Sequence, residues 1–272
     1  SFIYSVMGKL NVVVVMTYFN RQMQVEHTLK SIARSKHKNI DIVVVDDKSD
    51  KIIDFTQYGK NVHVYRVGEE KWWTNSVVAY NLGIHEALKL SPDVIILQNA
   101  ECYHYGDVIS YAVNHLTNEN YIAFSALALD MATTFAGVTD RVIKKLLPVN
   151  YAYPENPENE GIGWYNHPVL IPRAYDFCAA ITTENLVKLN GYDERFARYA
   201  AYGDNDLILR VRRLGLRVVI PEDPFVVHQW HDHSHLDGKI TDDMGLSLFQ
   251  KIESKETGYR AVHTNTRDLC AS

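Results

Sequence analysis

The sequence predicts an α/β fold in which a mostly parallel central sheet is flanked by helices. Apolar runs of strand length alternate with segments of helical periodicity, in the order β-α-β-β-α-β between residues 10 and 101. Several of these runs end in small or acidic residues, a pattern typical of buried parallel strands with a binding crevice at their carboxyl ends. The 272 residues, 46% of them apolar, are enough for one large core.

The first three elements follow from local pattern. "LNVVVVMTYF" (10–19) is a continuous apolar run and predicts a buried strand. "QVEHTLKSIARSK" places Val25 and Leu29 at helical spacing and predicts a helix. "IDIVVVDDKSD" predicts a second buried strand that ends in Asp46 and Asp47, which could also form a simple Asx turn.

The next three elements complete the predicted sheet. "NVHVYRVG" alternates like a strand, "TNSVVAYNLGIHEALKL" predicts a helix capped by Thr74 or Asn75, and "PDVIILQNAE" predicts a fourth strand. Because the carboxyl ends of parallel strands meet at one edge, their polar ends should converge on one crevice. The expected crevice residues are Thr17 to Arg21, Asp46, Asp47 and Asn99 to Glu101.

The second half of the chain has fewer signals. "PVNYAYPENPENEGIGWYNHP" (148–168) is rich in Pro, Asn and Gly and predicts a linking loop or a flap. "LILRVRRLG" predicts a helix with Leu207 and Val211 inward and its arginines, Arg210 included, on a solvated face. "PFVV" predicts a strand leading into His228, and the polar tail contains one helical stretch around "MGLSLFQKIESK".

Composition excludes several classes of protein. A net charge of -5 with mixed signs argues against a nucleic-acid binder. Apolar runs near 18 residues are missing, so we expect no membrane-spanning helix, and "SFIYSVMGKL" is a poor secretory signal. Cys102, Cys178 and Cys270 are odd in number and far apart, which fits a reducing compartment, and we expect the cytoplasm.

The predicted crevice is acidic and has no phosphate loop. GxGxxG does not follow the first strand and GxxxxGK[ST] occurs nowhere, which removes the usual dinucleotide and P-loop interpretations. Acids repel a diphosphate unless a divalent cation bridges them, and Mg²⁺ and Mn²⁺ prefer oxygen ligands. Glu101, just past a strand end, can meet such a cation.

These pieces, in order, resemble a known family. "VVMTYFNR", "IVVVDDKSD", "NSVVAYNLGIHEA" and "IILQNAEC" resemble the nucleotide half of family 2 glycosyltransferases with the GT-A fold. "FCAAITTENLVKLNGYDERF" and "YGDNDLILRVRRLG" resemble the acceptor half, of the galactosyltransferase type, and "VVHQWH" its closing metal-histidine segment. The resemblance implies a GT-A domain at 8–237, with a nucleotide-sugar half (8–125) and an acceptor half (126–237), followed by a C-terminal extension (238–272).

The resemblance also implies a role for each matching residue. Asp204 would be the general base, and Glu101 with His228 or His231 would hold the metal. The matching residues expected to contact substrates are Thr17, Tyr18, Asn20 and Arg21 around the base and ribose, Asp46 and Asp47 at the base edge or ribose, Asn75 and Asn81 around the diphosphate or sugar, and Asn99 in place of the first acid of the metal motif. Outside the matched motifs, Trp73 could stack on a sugar or base or pack in the core, and Trp164 could form a platform for the acceptor sugar. Asp206 is a further candidate for substrate contact. Packing is an equal alternative for Trp164, and helix capping for Asp206.

Two positions depart from the family pattern. Asn99 stands where the metal motif usually has Asp, so more of the metal binding would fall to Glu101, the histidine and the diphosphate. Gly203 stands where the family has the first acid of a Glu-Asp pair, which leaves Asp204 or Asp206 as the base. We favour Asp204, because Asp206 aligns with an acid that commonly caps the following helix.

The sequence therefore predicts a metal-dependent, inverting glycosyltransferase of hexosyl or N-acetylhexosaminyl type. The donor would be a nucleotide sugar, UDP-linked as a first choice, the acceptor a glycan or other hydroxyl, the cation Mn²⁺ or Mg²⁺, and the process glycan biosynthesis. One alternative is a non-catalytic nucleotide-sugar or glycan-binding protein. Another is a metal hydrolase, with zinc held by His228, His231 and Asp232, in the segment that also contains His233 and His235.

Overall fold

The computed structural model describes residues 10–154, 161–232 and 242–269. The strands in these ranges are β1 (Val12–Tyr18), β2 (Ile40–Asp46), β3 (Val62–Arg66), β4 (Val94–Asn99), β5 (Cys102–Tyr105), β6 (Asn120–Ala123), β7 (Ala126–Ala128), β8 (Trp164–Asn166), β9 (Cys178–Thr182), β10 (Arg217–Val219) and β11 (Phe225–His228). The helices are α1 (Gln22–Ala33), α2 (Val77–Leu88), α3 (Val108–His115), α4 (Met131–Ala136), α5 (Asp140–Ala152), α6 (Thr183–Leu189), α7 (Gly203–Arg213) and α8 (Asp242–Lys255). None of these helices is both long and apolar enough to cross a membrane.

The central sheet has seven strands in the order β10-β6-β9-β4-β1-β2-β3. β1 pairs in parallel with β2 and with β4, and β3 pairs in parallel with β2. Only β9 runs antiparallel to its neighbours, β4 and β6. The register places Tyr18 beside Asp46 and Thr17 beside Asn99, so the predicted polar strand ends do meet at one edge.

A smaller sheet of four strands, in the order β5-β11-β7-β8, lies at this edge. β11 pairs antiparallel with β5, and the pairing sets His228 opposite Cys102. Glu101, which precedes Cys102 in the chain, is thereby brought to the end of β11. The smaller sheet thus joins residues more than one hundred positions apart in sequence.

The core lies on both faces of the central sheet. α2 covers one face, where Gly83 packs directly on two strands: a Cβ at this position would lie 2.7 Å from Val15 and 2.8 Å from Val45. α1 and α3 contribute Val25, Ile109 and their neighbours to the other face. This close packing fixes where each strand ends, and hence where the polar side chains lie.

Most predicted elements are confirmed, and three local predictions are wrong. The helix after residue 74 has Ser76, not Thr74 or Asn75, at its N-cap, although the Asn75 side chain accepts a hydrogen bond from the Val77 N–H. The segment 148–168 is not a loop throughout, since α5 runs to Ala152 and β8 begins at Trp164. Arg210 is 2% exposed rather than solvated.

Candidate active site

A cluster of three buried side chains forms where β4 and β11 end. Glu101 Oε1 lies 3.0 Å from His228 Nε2 and 3.3 Å from His231 Nε2. One ligand atom from each residue falls within 4.8 Å of the others. A carboxylate and two imidazoles at this spacing could hold one divalent cation, so the structure brings together the three residues predicted as ligands.

The charges around Glu101 keep it ionised. Burial alone would raise the pKa of its carboxyl, but Arg21, whose Nη1 is 2.9 Å from Glu101 Oε2, and the two histidines more than offset burial and hold the pKa well below its usual range. Burial lowers the pKa of His228, although Glu101 opposes this shift. Anionic carboxylate and neutral imidazole are the forms that bind metals.

Residues outside the predicted set hold this cluster in place. The Gln229 side chain donates to the Glu101 carbonyl (2.9 Å) and accepts at 2.7 Å from His27 Nδ1, in the tautomer that protonates this nitrogen. Gln24 donates to the Trp230 carbonyl, which ties the segment between the two histidines to α1. Gln229 lies within the quoted "VVHQWH", and its position between two candidate ligands was the available signal. His233 and His235 lie outside the described residues.

The acids after β2 are both paired with cations. Asp46 accepts from the Ser49 N–H, three residues on, at 2.7 Å and forms an ion pair with Arg66, so its side chain bonds the turn that "DDKSD" forms. Asp47 accepts from Trp73 Nε1 (3.0 Å) and lies 3.1 Å from Lys71 Nζ. Burial raises the pKa of Asp47, against the opposing effect of Lys71. The hydrogen bond from Nε1 therefore holds the Trp73 and Asp47 side chains together.

The remaining residues of the predicted nucleotide side differ in exposure. Tyr18 is 2% exposed and packs edge-on against Phe55. Thr17 is buried at the end of β1, whereas Asn20 is exposed, has a positive φ of 53° and donates to Asp50. The side chains of Arg21, Asn20 and Asn99 thus remain accessible at the sheet edge, and that of Tyr18 faces the core.

A cavity of about 270 Å³ opens beside this edge, between α2 and the start of α7. It is lined by Asn75, Ser76, Val77, Tyr80, Asn99, Asp176, Phe177, Tyr192, Ala200, Ala201, Tyr202, Gly203 and Asp204. Burial raises the pKa of Asp204, and burial together with Asp204 raises the pKa of Asp176 to about 6. Raised carboxyl pKa values in a cavity are typical of groups that exchange protons.

Asp206, predicted as a helix cap, is a buried ion-pair partner. α7 has Tyr202 at its N-cap, in the left-handed region with a φ of 73°, and no side chain caps the helix. Asp206 Oδ2 instead accepts from Arg210 Nε at 2.7 Å, and both side chains are at most 2% exposed. Arg210 also donates to the carbonyls of Leu189 and Gly191. The capping prediction for Asp206 is wrong because its carboxylate is bonded to Arg210 instead of to the backbone N–H groups of the first turn.

Two residues predicted to contact substrate are fully buried and contact other parts of the protein. Asn81 is fully buried and donates to the Tyr192 carbonyl (2.9 Å) and to Glu194 Oε1 (3.0 Å). Trp164 is fully buried and packs against the rings of His167 and Phe225. Packing, the alternative noted for Trp164, is what the structure shows.

Asp176, which lies just before β9, was not predicted from the sequence. Only the carboxyl ends of parallel strands were expected to reach the site. Because β9 runs antiparallel, its amino end lies at the same sheet edge, as the hydrogen bond from Asn99 N to the Phe177 carbonyl (3.0 Å) shows. Strand direction is not encoded in the apolar run "FCAAI", so no local signal identified Asp176.

The sequence matches the family described as Glycosyl transferase family 2 over residues 13–171, more than half of the 272 residues. The chain belongs to this family. The match includes Glu101 and the strand ends that surround it. No curated protein sequence matches the chain significantly.

Solved structures share the GT-A fold with this family 2 chain at low sequence identity. The mannosyltransferase PcManGT from Pyrobaculum calidifontis, in complex with GDP-Man and Mn²⁺, has a TM-score of 0.53 and 14% identity, over 92% of this chain and 72% of that one. S. aureus TarS 1–349 with UDP has a TM-score of 0.55 and 11% identity, over 89% and 71%. The match to a second TarS 1–349 structure covers 81% of this chain and 60% of the TarS chain. Glucosyl-3-phosphoglycerate synthase from Mycobacterium tuberculosis, with Mn²⁺ and UDP-Glc, has a TM-score of 0.51 and 13% identity, over 92% and 80%.

Proposed function

We propose that this protein transfers a hexosyl or N-acetylhexosaminyl group, with inversion, from a nucleoside-diphosphate sugar to a glycan hydroxyl. The observation that carries the proposal is the placement of two kinds of acid at one sheet edge. Asn99 lines the same cavity as Asp204 and stands two residues before Glu101, the carboxylate of the candidate metal site. A sugar in the cavity would therefore have the metal site on one side and the base on the other.

The donor end of the site suits a diphosphate and a cation. Glu101, His228 and His231 would hold Mn²⁺ or Mg²⁺, which would offset the charge that develops on the leaving diphosphate. Nitrogen and oxygen ligands together suit Mn²⁺ best of the two, since Mg²⁺ favours oxygen alone. The Arg21 side chain is 18% exposed and its guanidinium is paired with Glu101 beside the candidate metal site, where it could also donate to a phosphate oxygen.

The nucleobase of the donor would be that of UDP or a similar nucleotide. Asp47 and Trp73 lie together at the end of β2, and Asp47 there could accept from the N–H of a uracil. UDP and GDP occur in the structures of the relatives, and we propose UDP first. Cys102 and Cys178 are free and buried, which fits a reducing compartment such as the cytoplasm.

Asp204 would activate the acceptor. Its carboxylate takes the proton of the acceptor hydroxyl as the acceptor oxygen bonds to the anomeric carbon and the bond from that carbon to the diphosphate breaks. Attack from the side opposite to the leaving group inverts the anomeric centre. The raised pKa of Asp204 makes it a stronger base than an exposed aspartate.

A donor panel tests the proposal. The protein is incubated with UDP- and GDP-sugars, Mn²⁺ and simple glycosides, and release of nucleoside diphosphate is followed with and without EDTA. We expect release that requires one donor, increases with acceptor and stops with EDTA. Thermal stabilisation by a donor without turnover would indicate a binding protein. Absence of stabilisation by every nucleotide would overturn the proposal.

A further inference from the structure

Two carboxylates, not one, line the cavity at the base end of the site. Asp204 lies in the first turn of α7, and Asp176 lies before β9, 28 positions earlier in the chain. Phe177, which follows Asp176, is hydrogen-bonded through its carbonyl to Asn99. Asp176 is therefore anchored beside the strand end that leads to the candidate metal site, and it lines the same cavity as Asp204.

Asp176 is held by buried aromatic side chains. The Tyr192 hydroxyl donates to Asp176 Oδ2. The Tyr192 ring stacks on Tyr80 at a centroid distance of 4.9 Å, and the Tyr80 hydroxyl donates to the Gln98 carbonyl at 2.7 Å. This chain of contacts runs from the central strand β4 to the carboxylate. A side chain held in this way has a fixed position relative to the donor site.

Neither carboxylate has a cation as a partner within the described ranges. The ion pairs found there include Asp46, Asp47, Glu101 and Asp206 but neither Asp176 nor Asp204. Among the described residues, the titratable groups that interact with Asp176 are Asp204 of α7, Tyr80 of α2, Tyr121 of β6 and Tyr192. Burial raises the pKa of each of these tyrosines, so they stay neutral at physiological pH.

Packing forbids a second acid next to Asp204 in the chain. A Cβ on Gly203 would lie 2.8 Å from Val77 Cγ1, because α7 begins directly against the start of α2. A side chain at position 203 would force these helices apart. The second carboxylate of the cavity is instead supplied from β9, by Asp176.

We propose that Asp176 and Asp204 act as a coupled pair that takes up one proton during transfer, with Asp176 as the positioning residue whose negative charge makes Asp204 a more effective base. This inference rests on the proposed transfer function. Two nearby carboxylates resist double ionisation, so a proton reaching either is bound more tightly than by one acid alone. During transfer the acceptor O–H bond breaks and its proton goes to Asp204, while Asp176 keeps its charge and forms no covalent bond. The rise in the pKa of Asp176 to about 6 is consistent with such a pair.

Two variants with opposite expected effects test the pair. Asp176→Asn removes the charge, so the apparent pKa of the acidic limb of the kcat/KM profile should fall and the plateau of kcat should drop roughly tenfold. Tyr192→Phe removes a hydrogen bond that favours ionised Asp176, so the same limb should move to higher pH. KM for the donor and stabilisation by UDP with Mn²⁺ should be unchanged in both variants. If Asp176 had only a structural role, the acidic limbs of the two variants would shift in the same direction or not at all.

Carboxyl-carbon NMR separates this inference from the proposed function. In protein labelled at aspartate carboxyls, the signal of Asp204, assigned through Asp204→Asn, should titrate at lower pH in Asp176→Asn than in wild type. An unchanged Asp204 titration would overturn the pair, even if transfer activity is established. A shifted titration in a protein that turns over no donor would support the pair and overturn the proposed function. Tyr192→Phe gives the second reading if Asp176→Asn does not fold.

Discussion

The acids at the donor end and the acids in the cavity have opposite surroundings. At the donor end, Asp47 meets Lys71 and Glu101 meets Arg21. In the cavity, Asp176 and Asp204 meet each other, and their pKa values are raised. At the donor end Lys71 opposes the rise that burial gives the pKa of Asp47, and Arg21 helps to hold the pKa of Glu101 well below its usual range. A carboxylate left beside another acid is prepared to take up a proton.

The same contrast occurs within two residues of one helix. Asp204 faces the cavity, whereas Asp206 is buried against Arg210. In "YGDND" the two acids look equivalent. Helical geometry separates them, because residues two apart point to different faces of a helix and Arg210, four positions on, lies on the face of Asp206. Within α7, the paired acid therefore serves the fold, and the unpaired acid is the candidate for chemistry.

The largest expected effect is that of Asp204→Asn. Loss of a general base should lower kcat by about 10²–10⁴-fold. The amide keeps the shape of the side chain, so stabilisation by UDP with Mn²⁺ should remain. The matched control is Asp243→Asn, an exposed acid of α8, which should retain full activity. Near-normal transfer by Asp204→Asn would show that this cavity acid is not the general base.

Arg210→Met should mainly affect stability. The change leaves Asp206 buried without its cation, and the loss of one partner of a buried pair costs about 3–5 kcal/mol. Thermal or urea unfolding measures the change. The control is Lys188→Met, which breaks the exposed pair with Glu184 and should cost about 0–1 kcal/mol. Equal effects of the two variants would show that the buried pair does not serve the fold.

Glu101→Gln should remove the response to metal. The neutral amide loses the charge that attracts the cation, so we expect Mn²⁺ affinity to fall at least tenfold, the lower end of the losses seen for residues that only support metal ligands. Thermal shift against Mn²⁺ concentration, without nucleotide, measures this affinity. Glu119→Gln changes an exposed glutamate and should leave the titration unchanged. A normal Mn²⁺ response in Glu101→Gln would show that the metal does not bind at Glu101.

The smallest expected effect is on stability against pH. The pKa of Asp176 is raised to about 6 in the folded protein, so its ionisation disfavours the folded state and stability falls as pH rises from about 4 through about 6. Asp176→Asn removes this penalty. At pH 7.5 the variant should be more stable than wild type by on the order of 1 kcal/mol, because partial exposure screens the effect. At low pH the difference in stability should vanish. A constant difference at all pH values would contradict the predicted rise in the pKa of Asp176.

Sequence patterns predicted the sheet and the position of Glu101 at its edge, because both depend on where buried strands end, and the family resemblance added His228 and His231, which lie beside Glu101. The runs around Val14, Val44 and Ile96 fixed the strands, and the acids that follow such runs fixed the edge. Side-chain partners were harder to predict. Asn81 looked polar and available in the sequence but is buried against Glu194. Asp176 was missed because strand direction is decided by the whole sheet.

The antiparallel strand β9 also determines when the central sheet can close. β9 lies between β4 and β6, yet β4 ends at Asn99 and β9 begins only at Cys178. While the chain is being synthesised, the edges of β4 and β6 must wait for residues made much later. Ile96 and Ile122, fully buried in the finished protein, lie on those open edges. Open apolar edges of this kind attract other strands, so we expect this family 2 chain to be prone to aggregation until β9 has been synthesised.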